Sequence, residues 1–353
     1  QSSSPALMAY KILESTKMYE KFRKLLGVDV STSRNKIKVF MIGDIVNVFG
    51  ESFINCGGFF YNDQNTGDPI IVISGKNFGQ EHLLGSTLAH ELFHAFQTAF
   101  TPLAKADTWI KESTAVWATD YIDNTWNTEQ GYIISAFEPN RKLMHHLNTN
   151  TDLTPYGMYL FPYYVTKVSP GDPAVIRRIW ENCASGSCTG DGAITAVDNA
   201  LGGKLGDTWK KFSLATLDVA PEDKRLPDTV GKYGGVAPLK IKSSHGFKKI
   251  VLSREGSGGS VAVIQGINAC YFHVTNDNTG PTAPAVRFDL GSFKNDSDKI
   301  YVQSVITYLD GHKEYEDWTG KEERVFCLNI DSQCFKEIHT AVSYTHLRAH
   351  ETV

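Results

Sequence analysis

The part of the sequence best suited to chemistry is the segment His90–His94, with the sequence HELFH, in which two histidines are four residues apart. Leucine and alanine recur at helical spacing from Leu84 to Ala99, which predicts an α-helix. Residues four apart share one face of a helix, so the two imidazoles should project side by side. Two adjacent imidazole nitrogens are the first two ligands that a zinc ion needs, each at about 2.0–2.1 Å.

Glu91 lies inside this segment, one step around the helix from the two histidines. From there it cannot easily ligate the same ion. It can instead meet a water molecule at the open coordination position and accept its proton. Glu91 is therefore our candidate for a general base. The competing interpretation is that His90 and His94 only form hydrogen bonds within a protein core.

A third ligand is offered by the segment Trp109–Trp117, with the sequence WIKESTAVW. Its apolar pattern predicts a second helix. Glu112 lies near the start of that helix, 18 residues after His94. The small side chain of Ala115 would let two helices approach closely around a buried ion. The sequence therefore makes Glu112 the best candidate for the third ligand.

Together these two helices resemble the gluzincins, zinc metallopeptidases that combine an HExxH helix with a glutamate ligand from a following helix. The Trp-x-x-Glu-small-x-x-Val-Trp pattern is similar to the corresponding helix of zinc aminopeptidases and thermolysin-like enzymes. The resemblance covers roughly residues 70–180. It implies Zn²⁺ as the cofactor and a protein or peptide as the substrate. It also implies that the ion is held by His90, His94 and Glu112.

Several positions depart from the related patterns. Gln97 and Phe100 stand where a metzincin needs its glycine and its third histidine, so that group is excluded. No Gly-x-Met-Glu-Asn stretch precedes the motif, which disfavours an aminopeptidase and favours cleavage within chains. Thermolysin-like enzymes have an aspartate where this chain has Val116. The residue that orients the metal-binding histidines stays open, and Asp120 is a candidate for it.

A donor for the developing oxyanion is also expected. In zinc aminopeptidases a tyrosine that opens a downstream helix has this role. The segment Thr154–Tyr156 resembles that helix start, which makes Tyr156 the preferred candidate. The other candidates are tyrosines and histidines in neighbouring predicted helices, namely Tyr163, Tyr164, His145 and His146.

The elements around the motif indicate an α+β fold. Residues 37–42, 57–61 and 68–74 are predicted strands, and helices dominate from the motif onward. The resemblance implies a zincin-like catalytic domain, over residues 1–218, with a small mixed sheet and a mainly helical second half. It also implies an edge strand that lines the cleft and pairs with an extended substrate, a role we assign to residues 69–74.

A second domain is expected after a linker at residues 219–236, which is rich in turn-forming residues. Short alternating runs separated by turns predict an antiparallel, immunoglobulin-like β-sandwich over residues 237–340. Residues 341–353 form a tail that we expect to be non-native. Within it, residues 342–352 look like a translated sequencing adapter.

Composition restricts the cellular setting. The net charge of −4 gives no reason to expect nucleic acid as a partner, and no segment is long and apolar enough for a membrane span. Six cysteines lack the spacing of a thiolate metal site, and Cys183/Cys188 and Cys327/Cys334 are short-span pairs that could close as disulfides. Such pairs favour secretion over the alternative of free thiols in a cytosolic protein.

The expected function is therefore that of a secreted zinc metalloendopeptidase, with Glu91 as the base and Tyr156 as an assisting donor. The alternative comes from a different class of protein. It is a secreted binding or adhesion module whose zinc site is structural or vestigial and whose β-domain is the functional half. An intact Glu91 disfavours this alternative, because a closed structural site has no need of a base.

Overall fold

A computed structural model of the chain describes residues 4–30, 36–43, 57–137, 144–146, 153–217, 219–220, 226, 239–241, 248–251, 267–277, 285–294, 299–327 and 334–345. These residues combine helices and sheets, so the fold is of the α+β class. The chain divides into two compact units. The first comprises residues 1–132 and 149–203, and the second comprises residues 133–148 and 204–353.

The two units are interleaved along the chain, and their boundary differs from the one that we expected at residues 219–236. The helix Leu205–Ala215 belongs to the second unit, because Leu214 packs in one apolar cluster with Ala269 and Val305 of that unit. Residues 133–148 also belong to the second unit, although they lie between two segments of the first.

The first unit contains a three-stranded mixed sheet in the order β1-β3-β2, built from Lys38–Ile42 (β1), Gly58–Asn62 (β2) and Pro69–Ser74 (β3). β1 is parallel to β3, and β2 is antiparallel to it. Our assignment of residues 69–74 as the edge strand was wrong. Every residue of β3 is buried, as its continuous apolar run requires in a central strand. Among the described strands, the edge positions belong to β1 and β2.

The motif helix, which we define as Glu81–Gln97, is buried on almost every side. Phe22, from the N-terminal helices, packs edge-on against Phe93 and Phe96 of the motif helix. Phe93 also meets Trp117 of the glutamate helix, which we define as Thr108–Ile122. Each such aromatic burial contributes on the order of 1.5–3 kcal/mol, so the motif helix is held by core packing from several directions.

The remaining helices are distributed between the two units. The N-terminal helical pattern is broken at Lys17, whose φ is +50°, and it ends at Gly27, whose φ is +69°. The bounds in the first unit are Pro5–Thr16, Met18–Leu26, Thr154–Gly157, Leu160–Lys167, Ala174–Ser185 and Asp191–Ala200. Those in the second unit are Ile133–Phe137, Leu205–Ala215 and Gly291–Lys294.

The second unit contains two sheets. Their strands are Met144–His146 (β4), Leu239–Ile241 (β5), Lys248–Val251 (β6), Asn268–Asn276 (β7), Val286–Asp289 (β8), Ile300–Tyr308 (β9), Lys313–Asp317 (β10), Glu323–Phe326 (β11) and Phe335–Tyr344 (β12). The larger sheet has the order β10-β9-β12-β7-β4, with β5 also paired to β7, and the smaller one has the order β11-β8-β6.

The pairing in these sheets corrects two expectations. The β5/β7 and β6/β8 pairs are parallel, so the arrangement is not purely antiparallel. The sequence predicts a helix around His145 and His146, whereas Met144–His146 pair with β7 as a strand. A long-range contact decides the secondary structure of this segment, because β7 supplies the backbone hydrogen bonds that a strand needs. A further strand expected at residues 260–265 lies outside the described residues.

Aromatic side chains fill the larger core of the second unit, where Phe288 packs against Trp318 and Phe326. Val342 is buried in this core, and β12 continues to Tyr344. The first residues of the segment 342–352 therefore have a place in the sheet. Their alternation of apolar and polar side chains suits a strand whatever their origin. Residues 346–353 lie outside the described part.

Both predicted cysteine pairs lie at disulfide distance. The Cα atoms are 4.7 Å apart in Cys183–Cys188 and 4.7 Å apart in Cys327–Cys334, within the range of disulfides. Cys270 is the free cysteine among the described residues. No helix in the described part of the chain is long and apolar enough to cross a membrane.

Candidate metal centre

Three predicted ligand side chains converge between the motif helix and the glutamate helix. His90 Nε2 lies 3.1 Å from His94 Nε2. Glu112 Oε2 lies 3.2 Å from His90 Nε2 and 3.4 Å from His94 Nε2. We call His90, His94 and Glu112 the helix cluster. Helical spacing places the two histidines together, and packing of the second helix adds the carboxylate.

The size of this triangle matches the coordination sphere of zinc. In a tetrahedral site with bonds of about 2.0–2.1 Å, two ligand atoms are about 3.3–3.4 Å apart. The three donor separations in the helix cluster are close to that value. Two imidazoles and one carboxylate are also a donor set that zinc accepts, with a fourth position left open for water or substrate. The residues present therefore fit a catalytic zinc ion.

Gln97 orients His94, and the sequence analysis did not identify it in this role. Its Oε1 lies 2.7 Å from His94 Nδ1. Its Nε2 donates to the carbonyl oxygen of Lys111 at 3.0 Å and to Thr114 Oγ1 at 3.0 Å. A carbonyl oxygen can only accept, so the amide orientation of Gln97 is determined. Nδ1 of His94 must then carry the hydrogen, which directs Nε2 toward the helix cluster.

The electrostatics of the helix cluster couple His94 to Glu112. Burial alone would lower the pKa of His94, but the carboxylate of Glu112 raises it to about 9. Burial alone would raise the pKa of Glu112, but His94 and His90 hold it well below its ordinary value. Without a metal ion, a proton therefore links the imidazole and the carboxylate. A divalent cation would replace that proton.

Glu91 lies beside the helix cluster and is only 5% exposed. Burial raises the pKa of its carboxyl group, and the nearby His90 and His94 oppose this rise. One oxygen of Glu91 and one nitrogen from each histidine lie within 4.8 Å of one another. A buried carboxylate with a raised pKa is a stronger base than one in water, which suits proton abstraction near neutral pH.

Tyr156 lies on the short helix Thr154–Gly157, and its ring faces His90. Its ring is parallel to the imidazole of His90, with 5.9 Å between the centroids, and it also packs on Tyr132. Burial raises the pKa of the Tyr156 hydroxyl far above its ordinary value, and Glu112 and Glu91 add to the effect. The hydroxyl therefore keeps its proton and can act as a hydrogen-bond donor.

A cleft of about 340 Å³ borders these side chains. His90, Glu91 and Tyr156 are part of its wall. Gly57 and Gly58, at the start of the edge strand β2, form another part. A Cβ on Gly58 would lie only 2.7 Å from Thr87 Cγ2 of the motif helix, so glycine permits this close approach. Leu83, Val116 and Leu153 supply apolar surface.

The start of the glutamate helix is attached to the Cys183–Cys188 loop. The backbone N–H of Asp107 donates to the carbonyl of Cys188 at 2.8 Å, and the Asp107 carboxylate accepts from the N–H of Gly190 at 2.7 Å. Asp107 is the residue that precedes the helix. The disulfide loop therefore helps to position the helix that carries Glu112.

The other candidates from the sequence lie elsewhere. Asp120 is 3.4 Å from Lys167 Nζ, and the described contact that orients a histidine of the helix cluster comes from Gln97 instead. Tyr163 and Tyr164 are buried on the helix Leu160–Lys167 and do not line the described cleft. His145 and His146 belong to β4 of the second unit, not to the first unit with the motif helix.

Gln97 was missed although a signal was present. It lies three residues after His94, a spacing at which helix side chains meet. In the sequence it marks only a departure from the metzincin pattern.

Comparison with known proteins does not identify the protein. No family model matches the chain, and no curated protein matches it significantly. The function must therefore be inferred from the geometry and chemistry of the site.

Proposed function

We propose that this protein is a secreted, zinc-dependent metalloendopeptidase of the gluzincin type. The observation that carries the proposal is the triangle of donor atoms from His90, His94 and Glu112. Its separations of 3.1, 3.2 and 3.4 Å suit zinc, and it stands beside a buried carboxylate at the wall of a cleft. A purely structural zinc site would need neither the buried carboxylate of Glu91 nor the cleft.

A bound zinc ion would supply Lewis acidity and lower the pKa of a water molecule toward neutrality. Glu91 would accept the proton of that water and deliver it to the leaving amine. Its buried position beside the helix cluster suits both transfers, because the group must gain and release a proton in one cycle. Gln97 holds His94 in the tautomer that presents an unprotonated Nε2 to the ion.

Tyr156 would donate a hydrogen bond to the carbonyl oxygen of the bond that is cleaved. Its hydroxyl keeps its proton, and its ring lines the cleft next to His90. A preorganised donor in a site with little water stabilises the negative charge that develops on this oxygen.

The substrate would bind as an extended peptide along β2. Gly57 and Gly58 bring the backbone of this edge strand to the wall of the cleft without side chains in the way. An extended chain can add to such an edge through backbone hydrogen bonds, which gives affinity with little dependence on sequence. Leu83, Val116 and Leu153 would then favour apolar side chains in the substrate.

In this proposal the first unit corresponds to a zincin-like catalytic domain, and the sheets of the second unit form a sandwich-like accessory domain. Secretion fits the two cysteine pairs at disulfide distance, since disulfides persist in oxidising compartments.

Hydrolysis of casein and of internally quenched peptides tests the proposal. The parent chain should cleave both substrates internally, lose activity with a chelator and regain it with zinc. His94→Ala should lose the zinc of the helix cluster and the activity, whereas His82→Ala, an exposed residue of the same helix, should lose neither. If the zinc-replete parent cleaves no peptide, the binding-module alternative with a structural zinc site takes precedence.

A further inference from the structure

A second cluster of metal-binding side chains lies on the larger sheet of the second unit. His273 on β7 is directly opposite His339 on β12 in the antiparallel register. Glu337 lies two residues before His339, so both side chains point to the same face of the sheet. We call His273, Glu337 and His339 the sheet cluster. None of its members belongs to the proposed catalytic machinery.

The three side chains are close enough to share one ion. His273 Nε2 lies 3.0 Å from Glu337 Oε2. The rings of His273 and His339 are stacked, with 3.8 Å between centroids and 17° between planes. One donor atom from each of the three residues lies within 4.8 Å of the other two. The side chains of His273 and Glu337 are 20% and 27% exposed, so an ion from solution can reach them.

A hydrogen bond between His273 and Glu337 accounts for the positions of these two side chains, but it does not account for the position of the His339 ring. Nδ1 of His339 is buried and makes no hydrogen bond with any residue that the structure describes. The same ring lies within reach of an ion that His273 and Glu337 would also contact. A neutral imidazole is the form that binds metal. A buried ring nitrogen without a hydrogen bond costs stability unless another partner, such as an ion, satisfies it.

Neighbouring positions on the same face show the same pattern. Thr275 on β7 and Thr307 on β9 are both directly opposite Glu337. Their hydroxyl oxygens are buried and have no hydrogen-bond partner within the described part of the chain. Farther along this face, Gln303 Oε1 (opposite Ala341) and Ser343 Oγ are also buried without a hydrogen-bond partner among the described residues. Polar atoms without protein partners therefore occur beside the sheet cluster, where bound water and an ion can satisfy them.

We propose that the sheet cluster binds a divalent transition-metal ion, with zinc as the preferred ion, and that this ion links β7 to β12. Two imidazoles and one carboxylate select a borderline ion such as zinc over calcium or magnesium, which prefer sites made only of oxygen ligands. The ion acts as a cross-link between two strands, and its binding energy adds to the stability of the folded state.

The test uses the full-length chain with His90→Ala and His94→Ala, which removes the helix cluster and leaves the sheet cluster intact. Elemental analysis after dialysis against micromolar zinc should give about two ions per parent chain and about one per double variant. Addition of His339→Phe, which keeps an aromatic ring and removes both nitrogens, should eliminate the remaining ion. Histidines at 346 and 350 are present in every chain, so their contribution cancels.

Thermal unfolding provides the second measurement. Zinc should raise the melting temperature of the double variant, and His339→Phe or Glu337→Gln should abolish that rise, whereas His82→Phe should not. A folded double variant that binds no zinc would overturn the proposal. Retention of the ion after His339→Phe would also overturn it. Both readouts are independent of peptide hydrolysis, so a failure here is distinct from a failure of the proposed enzymatic function.

Discussion

The helix cluster and the sheet cluster each contain two histidines and one glutamate, but they differ in side-chain exposure, in how the histidines are oriented and in whether a cleft borders them. In the helix cluster, the side chains of His90 and Glu112 are each 14% exposed, and Gln97 orients His94. The cluster also borders a cleft, with Glu91 beside it. In the sheet cluster, the exposures are 20% and 27%, and the two rings lie on one another across adjacent strands.

This difference shows why the same residue types support two different proposals. A catalytic ion needs an oriented ligand set, an open coordination position and a base near that position. In our proposal, the helix cluster provides all three. The sheet cluster offers ligands from two neighbouring strands without a carboxylate placed as a base, which suits a structural cross-link. The following predictions test this contrast, from the largest expected effect to the smallest.

Glu91→Gln should lower peptide hydrolysis by at least about two orders of magnitude, because an amide cannot accept the proton at neutral pH. Zinc content should stay at the parent level, since the three proposed ligands are untouched. The matched control is Glu81→Gln in the exposed first turn of the same helix, which should keep its activity. Loss of metal from Glu91→Gln would show that Glu91 has a structural role, and the contrast between the clusters would weaken.

Gln97→Met should weaken zinc binding at the helix cluster by about 10–100-fold, because the hydrogen bond that determines the His94 tautomer is removed. Thr114→Val removes only one of the two acceptors of the Gln97 amide and should have a smaller effect. Competition with a chelating dye measures both affinities. Unchanged affinity in Gln97→Met would mean that packing alone orients His94.

Tyr156→Phe should reduce kcat by about tenfold and leave zinc content and KM near the parent values, because one oxyanion donor is lost while zinc still stabilises the charge. Tyr163→Phe, on the next helix, should be close to the parent, since Tyr163 does not line the described cleft. Equal losses in the two variants would argue for a general packing effect and against a role for the Tyr156 hydroxyl.

Zinc binding by the helix cluster should strengthen by less than about tenfold from pH 7 to pH 8. The pKa of His94 in the metal-free chain is about 9, so below that pH a proton must leave before zinc binds. The stability of the metal-free fold changes in the opposite direction: the protonated His94–Glu112 pair stabilises that fold at pH values below about 6.5, and this contribution is lost as the pH rises through about 9.

Calorimetry in two buffers with different ionisation enthalpies measures the released proton. At the sheet cluster, His339 is already neutral near pH 7 because its pKa is about 4, so that residue should release none. An affinity of the helix cluster that does not change over this pH range would contradict the coupling of His94 to Glu112.

Local rules were enough to predict much of the first unit. Helical periodicity places His90 next to His94, because residues four apart share a helix face. The same periodicity places Glu91 to one side of that face. Continuous apolar runs located β1 and β3. Short spacing identified the Cys183–Cys188 pair, since a span of five residues brings the two cysteines close in many conformations. In each case the deciding contacts are close along the chain.

Tertiary structure decided the features that join distant segments. Gln97 acquires its role from Lys111 and Thr114 on another helix. The sheet order makes β3 central, because strands on both sides satisfy its backbone, and no local pattern specifies which strands these are. His273 faces His339 only because of the register between two strands 66 residues apart in sequence. The sequence by itself determines which residues are available for chemistry, whereas long-range packing determines which of them meet.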